Sequence, residues 1–401
     1  MSTKKINLNV NLMLSFIVFS MLLNSMSVII LQLSQNQQHS YTGLGMLEFF
    51  KDIPIALVSI FMVDYIKKRS YYSSLSIALI ICTLCSFTIP FVSEFWFLKI
   101  WFILIGISFS IGKICVFSII KNISDNEKDF SKTMSRTEAA FMLGVFIVNI
   151  EFAIILNSDY KDYWKFGFWL VGIISSWAAF QFYRIDQQNV FEINNSQGKE
   201  VIDFRILFDY KSILFFTIVV IIVFTEQIFN SWLPTFYKHT LKADSFFALQ
   251  SSALLALFSF IGRLLASKAV VKFSPMKIFF FCLISGIILT SSAYIIGQDT
   301  DVKVKILMFL FPMVGIFTAP LYPMLNSKYL SKFSERRVGK IVSIIILFTS
   351  LGGSIGSMST AYIFQKNLGN YYLLFATIPL ILILIFSTFF SIKEKISEYI
   401  K

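Results

Sequence analysis

The sequence predicts an all-α membrane protein whose twelve spans form two six-helix pseudo-repeats. Three observations carry that expectation. Hydrophobic residues make up 56% of the 401 and charged residues only 14%, with 46 phenylalanines, more apolar than a soluble core requires. Apolar runs of about 20 residues, the length a helix needs to cross a hydrocarbon core about 30 Å thick, recur from end to end. The first six runs can also be laid over the last six.

In chain order the spans are expected at 10–33, 41–65, 71–91, 95–120, 137–157, 163–184, 212–236, 245–267, 276–297, 305–326, 339–364 and 370–391. The opening MSTKKINLNVNLML runs straight into the first span without a small-residue cleavage site, so it reads as the start of that helix rather than a removed leader. RIDQQNVFEINNSQGKEVIDFR, between spans six and seven, is the one long polar stretch. It divides the chain into a bundle at 1–184, a linker at 185–211 and a bundle at 212–401.

With twelve spans both termini share one side, and that side collects 25 lysines and arginines against 8 on the other. The positive-inside bias then places both termini in the cytoplasm, in an inner (plasma) membrane. Basic loops beside an anionic leaflet account for the net charge of +12 without nucleic acid as a partner.

Two of the 35 basic residues are left inside spans, Lys51 and Lys113. Among the acids Glu48, Asp52, Glu151 and Glu226 lie well inside, and Glu138 lies near the inner end of its helix. An ionisable group there costs about 2.5–3.5 kcal/mol on insertion scales, so each is a candidate for function. Cys82 and Cys85 form a CxxC inside an apolar span without a second pair and read as packing residues. His39 and His239 are isolated, so no metal or other cofactor is expected. There is no G-x-x-x-x-G-K-[ST] loop for ATP, and no nucleophile–base pair that would make an enzyme.

The repeat aligns ALVSIFMVDYIKKR at 56–69 with LLASKAVVKFSPMK at 264–277, an offset of 208, and GISFSIG at 106 with GIFTAPL at 315. Parallel six-helix repeats with co-located termini are a transporter plan in which the halves rock about a midplane site. With VDYIKKR at 63–69, whose Asp64, Lys67, Lys68 and Arg69 match an acidic-then-basic gating-loop signature, the chain resembles the major facilitator superfamily. The first Gly of that signature and the Arg after its Asp are missing. The second copy, GRLLASKAVVKF at 262–273, keeps the Gly-Arg opening with Arg263 but carries Lys272 for the acid.

EQIFNSWLPTFY at 226–237, LFPMVGIFTAPLYPMLNS at 310–327 and SLGGSIGSMSTAYIF at 350–364 are most similar to the sugar-porter branch that contains the fucose permeases. The resemblance implies alternating access and a cavity lined by spans one, four, seven and ten. It disfavours drug/proton exchange, because Phe102 stands where antiporters keep a buried Arg and span five lacks their Gly-Pro.

Within EFFKDIP, Glu48 and Asp52 are i and i+4, and Lys51 is i+3 from Glu48, so the three cluster on one helix face. They form either a structural ion network or a proton or solute site. Pro54 predicts a local irregularity. Lys113 has no acid within a turn, and its partner must come from span five, span two or an anionic group on the solute. Gln227, Asn230 and Trp232, which follow Glu226, together with Asn24 on span one, Lys51 and Lys113, are the expected solute contacts, with Glu226, Glu48, Asp52 and Glu151 as proton carriers. A neutral Glu226 bonded between helices is the alternative. The glycine and serine stripe at 352–357 reads as close helix packing.

The expected activity is proton-coupled uptake of a small polar, sugar-like solute by a monomer in the lipid bilayer. An organic-anion transporter, a lipid flippase and a sensor that has lost transport are the alternatives.

Overall fold

The computed structural model describes residues 3–35, 40–62, 65–66, 69–92, 94–124, 127–187, 209–270, 272–297, 307, 309–330, 333 and 335–399. All regular structure among them is helical. Span one is α1 (Thr3–Asn24) and α2 (Met26–Gln35); α3 (Tyr41–Phe61), α4 (Tyr71–Thr88), α5 (Phe95–Ile123), α6 (Glu127–Leu156) and α7 (Phe168–Gln187) complete the first half. The second half is α8 (Tyr210–Thr235), α9 (Ser245–Ala269), α10 (Pro275–Gly297), the broken span ten of α11 (Val314–Thr318) and α12 (Leu321–Leu330), then α13 (Glu335–Gln365) and α14 (Tyr372–Tyr399). Most of the linker, 188–208, lies outside the described residues, as do Asp64, Lys67 and Lys68 of the expected gating loop. Arg69 is exposed at the start of the turn into α4.

Among the described residues ten helices are long and apolar enough to cross a membrane. Span two misses that standard because Glu48, Lys51 and Asp52 sit inside it, and span ten because prolines break it. Span one bends at Ser25, where the hydroxyls of Ser20, Ser25 and Ser27 each bond back to a carbonyl three residues earlier, a contact that competes with the helix ladder. Pro54 does not break α3, which runs on for seven residues.

The packing repeats between halves. Span one lies against spans five and six, span two against four, and span three against four and six; seven, eight and nine do the same with their counterparts. Gly144 of α6 lets span one approach so closely that a Cβ there would sit 2.6 Å from the Ile17 carbonyl, and Gly352 of α13 meets the Val220 carbonyl of span seven in the same way. Gly106 packs on the Lys51 carbonyl and Gly315 on that of Leu255.

Those contacts and the N-caps Ser40 and Asp244 align α3 with α9 at an offset of 204, correcting the 208 read from the sequence. The difference is four residues, about one helical turn, which keeps the same face forward, so an apolar pattern fits either register. The halves meet along two symmetry-related seams, α3 with α13 and α6 with α9. Large apolar residues of spans three, six, nine and twelve, such as Leu84, Ile173, Ile288 and Ile385, point outward where lipid would lie.

Candidate functional site

A cavity of about 160 Å³ lies between the halves, far above the ~10–15 Å³ that one water needs. It is lined by Asn24 of α1, Lys51 and Asp52 of α3, Lys113 of α5, Glu138 of α6, Glu226, Gln227 and Asn230 of α8, Arg263 of α9 and Tyr322 of α12, with Ser350 and Gly353 of α13. At the end away from the termini it is closed. There Tyr41 packs edge-on to His239 and near Trp232 and Phe364, the Tyr41 N–H donates to Gln365 at 3.1 Å, and Ser34 meets His239 at 3.4 Å.

The EFFKDIP charges form a cross-half latch. Glu48 is fully buried and ion-paired with Lys51. Its Oε1 accepts from Gln227 Nε2 at 2.6 Å and Ser231 Oγ at 2.7 Å, both on α8. Asp52 lies 3.7 Å from Lys51 and accepts from Ser354 Oγ of α13 at 3.0 Å. Each carboxylate is thus held by its own helix and by the opposite half. Gly353 makes room for this, since a Cβ there would lie 2.8 Å from Asp52 Oδ2.

A second charged group lies nearer the termini. Arg263 is 7% exposed, and its Nη1 donates to Glu138 Oε2 at 3.0 Å and to the Glu138 carbonyl at 3.3 Å. Its Nε reaches the Ala319 carbonyl at 3.3 Å. Pro323 supplies no N–H to that carbonyl, which explains why it is open to Arg263. Glu226 Oε1 is 3.9 Å from Arg263 Nη2, and Glu226, 22% exposed, is the looser of the two acids. One guanidinium therefore serves carboxylates from both halves.

Arg263 is not one of the two basic residues expected inside the spans; the structure places it six residues inside α9, at the cavity wall, as a third. Its counterpart at the 204 offset, Ser59, bonds the Ser343 carbonyl at 3.2 Å across the other seam. The prolines of span ten and the cross-half Glu138 were the signals that could have found it.

Lys113 is not joined to any acid within 4.0 Å among the described residues. Its Nζ stands 5.5 Å from the Phe109 ring and 5.8 Å from the rings of Phe117 and Tyr322. Trp232 and Glu151 are placed off the cavity lining. Trp232, two residues and about 200° beyond Asn230 on α8, is fully buried and donates to Ser357 at 2.9 Å. Glu151 faces about 220° away from Glu138 on α6, and its buried Oε2 has no hydrogen-bond partner among the described residues. Cys82 and Cys85 are buried free thiols. Among the described residues no cluster could hold a metal.

The family model of the Major Facilitator Superfamily matches residues 8–357. No curated protein sequence matches the chain. Among solved structures, a D-xylose–proton symporter superposes with TM-score 0.77 at 16% identity, covering 94% of this chain and 96% of that one. The E. coli fucose:proton symporter gives 0.68 at 14%, covering 95% and 98%. A bacterial homologue of the iron transporter ferroportin, in an outward-facing state, gives 0.69 at 12%, covering 96% and 99%. At these identities the neighbours share the fold, and their different cargoes show that the fold alone does not choose a solute. A match over most of the length, two parallel six-helix halves and a charged cavity between them agree: the chain is a membrane transporter belonging to the major facilitator superfamily.

Proposed function

We propose that the protein takes up a small, hydroxyl-rich solute together with a proton, by rocking of the bundles 1–184 and 212–401 about the cavity, with both termini in the cytoplasm of an inner membrane. The observation that carries this reading is Arg263, shared at 3.0 Å and 3.9 Å between Glu138 of one half and Glu226 of the other. When the halves part along the α6–α9 seam, Glu138 leaves and Glu226 becomes the partner that Arg263 requires. A carboxylate that has a full partner in one state and half a partner in the other binds a proton differently in the two states, which is the requirement for coupling.

Glu226 is the carrier in this account, and Glu48 and Asp52 form the latch that holds the far end shut. Asn24, Asn230 and the carbonyl of Gln227, which accepts no hydrogen bond among the described residues, supply hydroxyl partners. The solute class is drawn from the two sugar–proton symporters with the same fold and from these amides.

A thermal-shift screen of purified protein against sugars, carboxylates and amino acids identifies the solute, because a ligand of one state stabilises by mass action. Accumulation of that solute in energised vesicles should collapse with a protonophore. Glu226→Gln should abolish accumulation and keep solute counterflow at equal pH. Persistence of protonophore-sensitive accumulation in Glu226→Gln would remove Glu226 from the coupling path.

A further inference from the structure

We infer that Lys113 is an anion subsite of the cavity, and that the solute is a hydroxylated carboxylate of sugar-acid size whose carboxylate docks on the Lys113 ammonium; the inference rests on the solute-uptake reading above.

Lys113 is stabilised but not satisfied. The faces of Phe109, Phe117 and Tyr322 attract its positive charge at 5.5 to 5.8 Å, yet a ring face offers no lone pair comparable to an oxygen, and an ammonium has three N–H donors. The acids nearby are engaged elsewhere. Glu138 is bonded to Arg263, Glu48 and Asp52 are gathered by Lys51, and Glu226 leans on Arg263 at 3.9 Å. Among the described residues no acid lies within 4.0 Å of Lys113, and an oxygen can approach it from the cavity, of which Lys113 is a wall.

Its position in the repeat points the same way. Lys113 stands seven residues after Gly106, and Tyr322 stands seven after Gly315, the glycine that makes the equivalent contact in the other half. The two are therefore counterparts, and they meet across the pseudo-twofold axis with Nζ over the ring. A group between the halves, at the site about which they rock, is displaced little, so the subsite is reachable from both states. Around it the hydroxyl partners are uncommitted: Asn230 and Ser350 have no side-chain partner among the described residues, and Gln227 spends its amide N–H groups on Glu48 and Ser231, leaving its carbonyl oxygen. One cation with several neutral donors and acceptors suits one carboxylate on a polyhydroxyl frame.

Equilibrium binding to the purified full-length protein tests this with D-glucose, D-galactose and D-xylose, the uronic acids of the two hexoses, and succinate. At least one uronic acid is expected to bind about tenfold or more tightly than its neutral sugar. Lys113→Met should weaken the acid by about 10- to 150-fold, the span of one charge-assisted hydrogen bond, and leave neutral-sugar affinity within about twofold; Lys113→Arg should retain most of the acid's affinity. Neutral sugars binding as well as their acids in the wild type would overturn the anion subsite and leave the sugar reading intact, whether or not the variants fold. Succinate binding that Lys113→Met abolishes, with no sugar or sugar acid bound, would overturn the hydroxylated solute. Binding of none of the probes would overturn both.

Discussion

The two charged clusters occupy symmetry-related seams of the same molecule and are built in opposite ways. On the α3–α13 side three charges within little more than one turn of a single helix are gathered together: Glu48 is fully buried, and both carboxylates accept bonds from the opposite half. On the α6–α9 side a single Arg263 is divided between two carboxylates, one at 3.0 Å and one at 3.9 Å, and the looser of them opens onto the cavity. The first cluster ties each of its carboxylates to the opposite half by a direct hydrogen bond and stabilises one arrangement of the halves. The second is under-filled, so its partners can change with conformation and proton occupancy. A buried ion pair adds little net stability beside a well-packed apolar pair, so these charges are better explained by what they hold or exchange than by stability.

The contrast can be broken most forcefully at Arg263. Arg263→Met leaves the half-buried Glu138 and Glu226 without their cation and should cost up to about 3 kcal/mol, the low end of what breaking a buried pair costs, read as a lowered melting temperature, with uptake reduced more than about 100-fold. Adding Glu138→Gln should recover much of the stability and none of the coupling. An Arg263→Met protein as stable as wild type would mean that the cluster is not ion-paired.

On the latch side Gly353→Ala sets a methyl 2.8 Å from Asp52 Oδ2. It should cost about 1–3 kcal/mol by overpacking and raise cysteine labelling at the far end, near Ala243, as the seam opens. Ser354→Ala removes one bond to a charged acceptor and should shift the same labelling equilibrium by about tenfold. Unchanged labelling in both would show that the α3–α13 contacts do not set the conformational balance. The smallest effect is expected at Glu151→Gln, off the cavity, where uptake should stay within about twofold of wild type. A large transport defect there would extend the proton path beyond the Arg263 cluster.

The spans, the repeat and the isolated charges of EFFKDIP were legible because length, hydropathy and i, i+4 spacing are local properties. What was not legible is distance-dependent. Gln227, Ser231 and Ser354 hold Glu48 and Asp52 from 179 to 302 residues away, and no spacing rule reports that. Arg263 was counted at a membrane edge because it precedes a basic run. Its partners at the cavity wall come from other spans, the Glu138 carboxylate and the Ala319 carbonyl that Pro323 leaves open. The slip of one turn between α3 and α9 has a similar origin, since four residues return a helix to almost the same face. Trp232 shares a short stretch with Glu226, Gln227 and Asn230, yet a two-residue step turns it away from the cavity.

The central claim, that Glu226 carries the coupling proton and the EFFKDIP latch does not, is tested most directly by solute-driven pH change. Solute identified by the ligand screen is added to lightly buffered vesicles containing wild type or Glu226→Gln, and external pH is followed. Alkalinisation on addition of solute to wild type, and none with Glu226→Gln while that variant still exchanges labelled solute, is the predicted result. Alkalinisation of equal size in Glu226→Gln would contradict it.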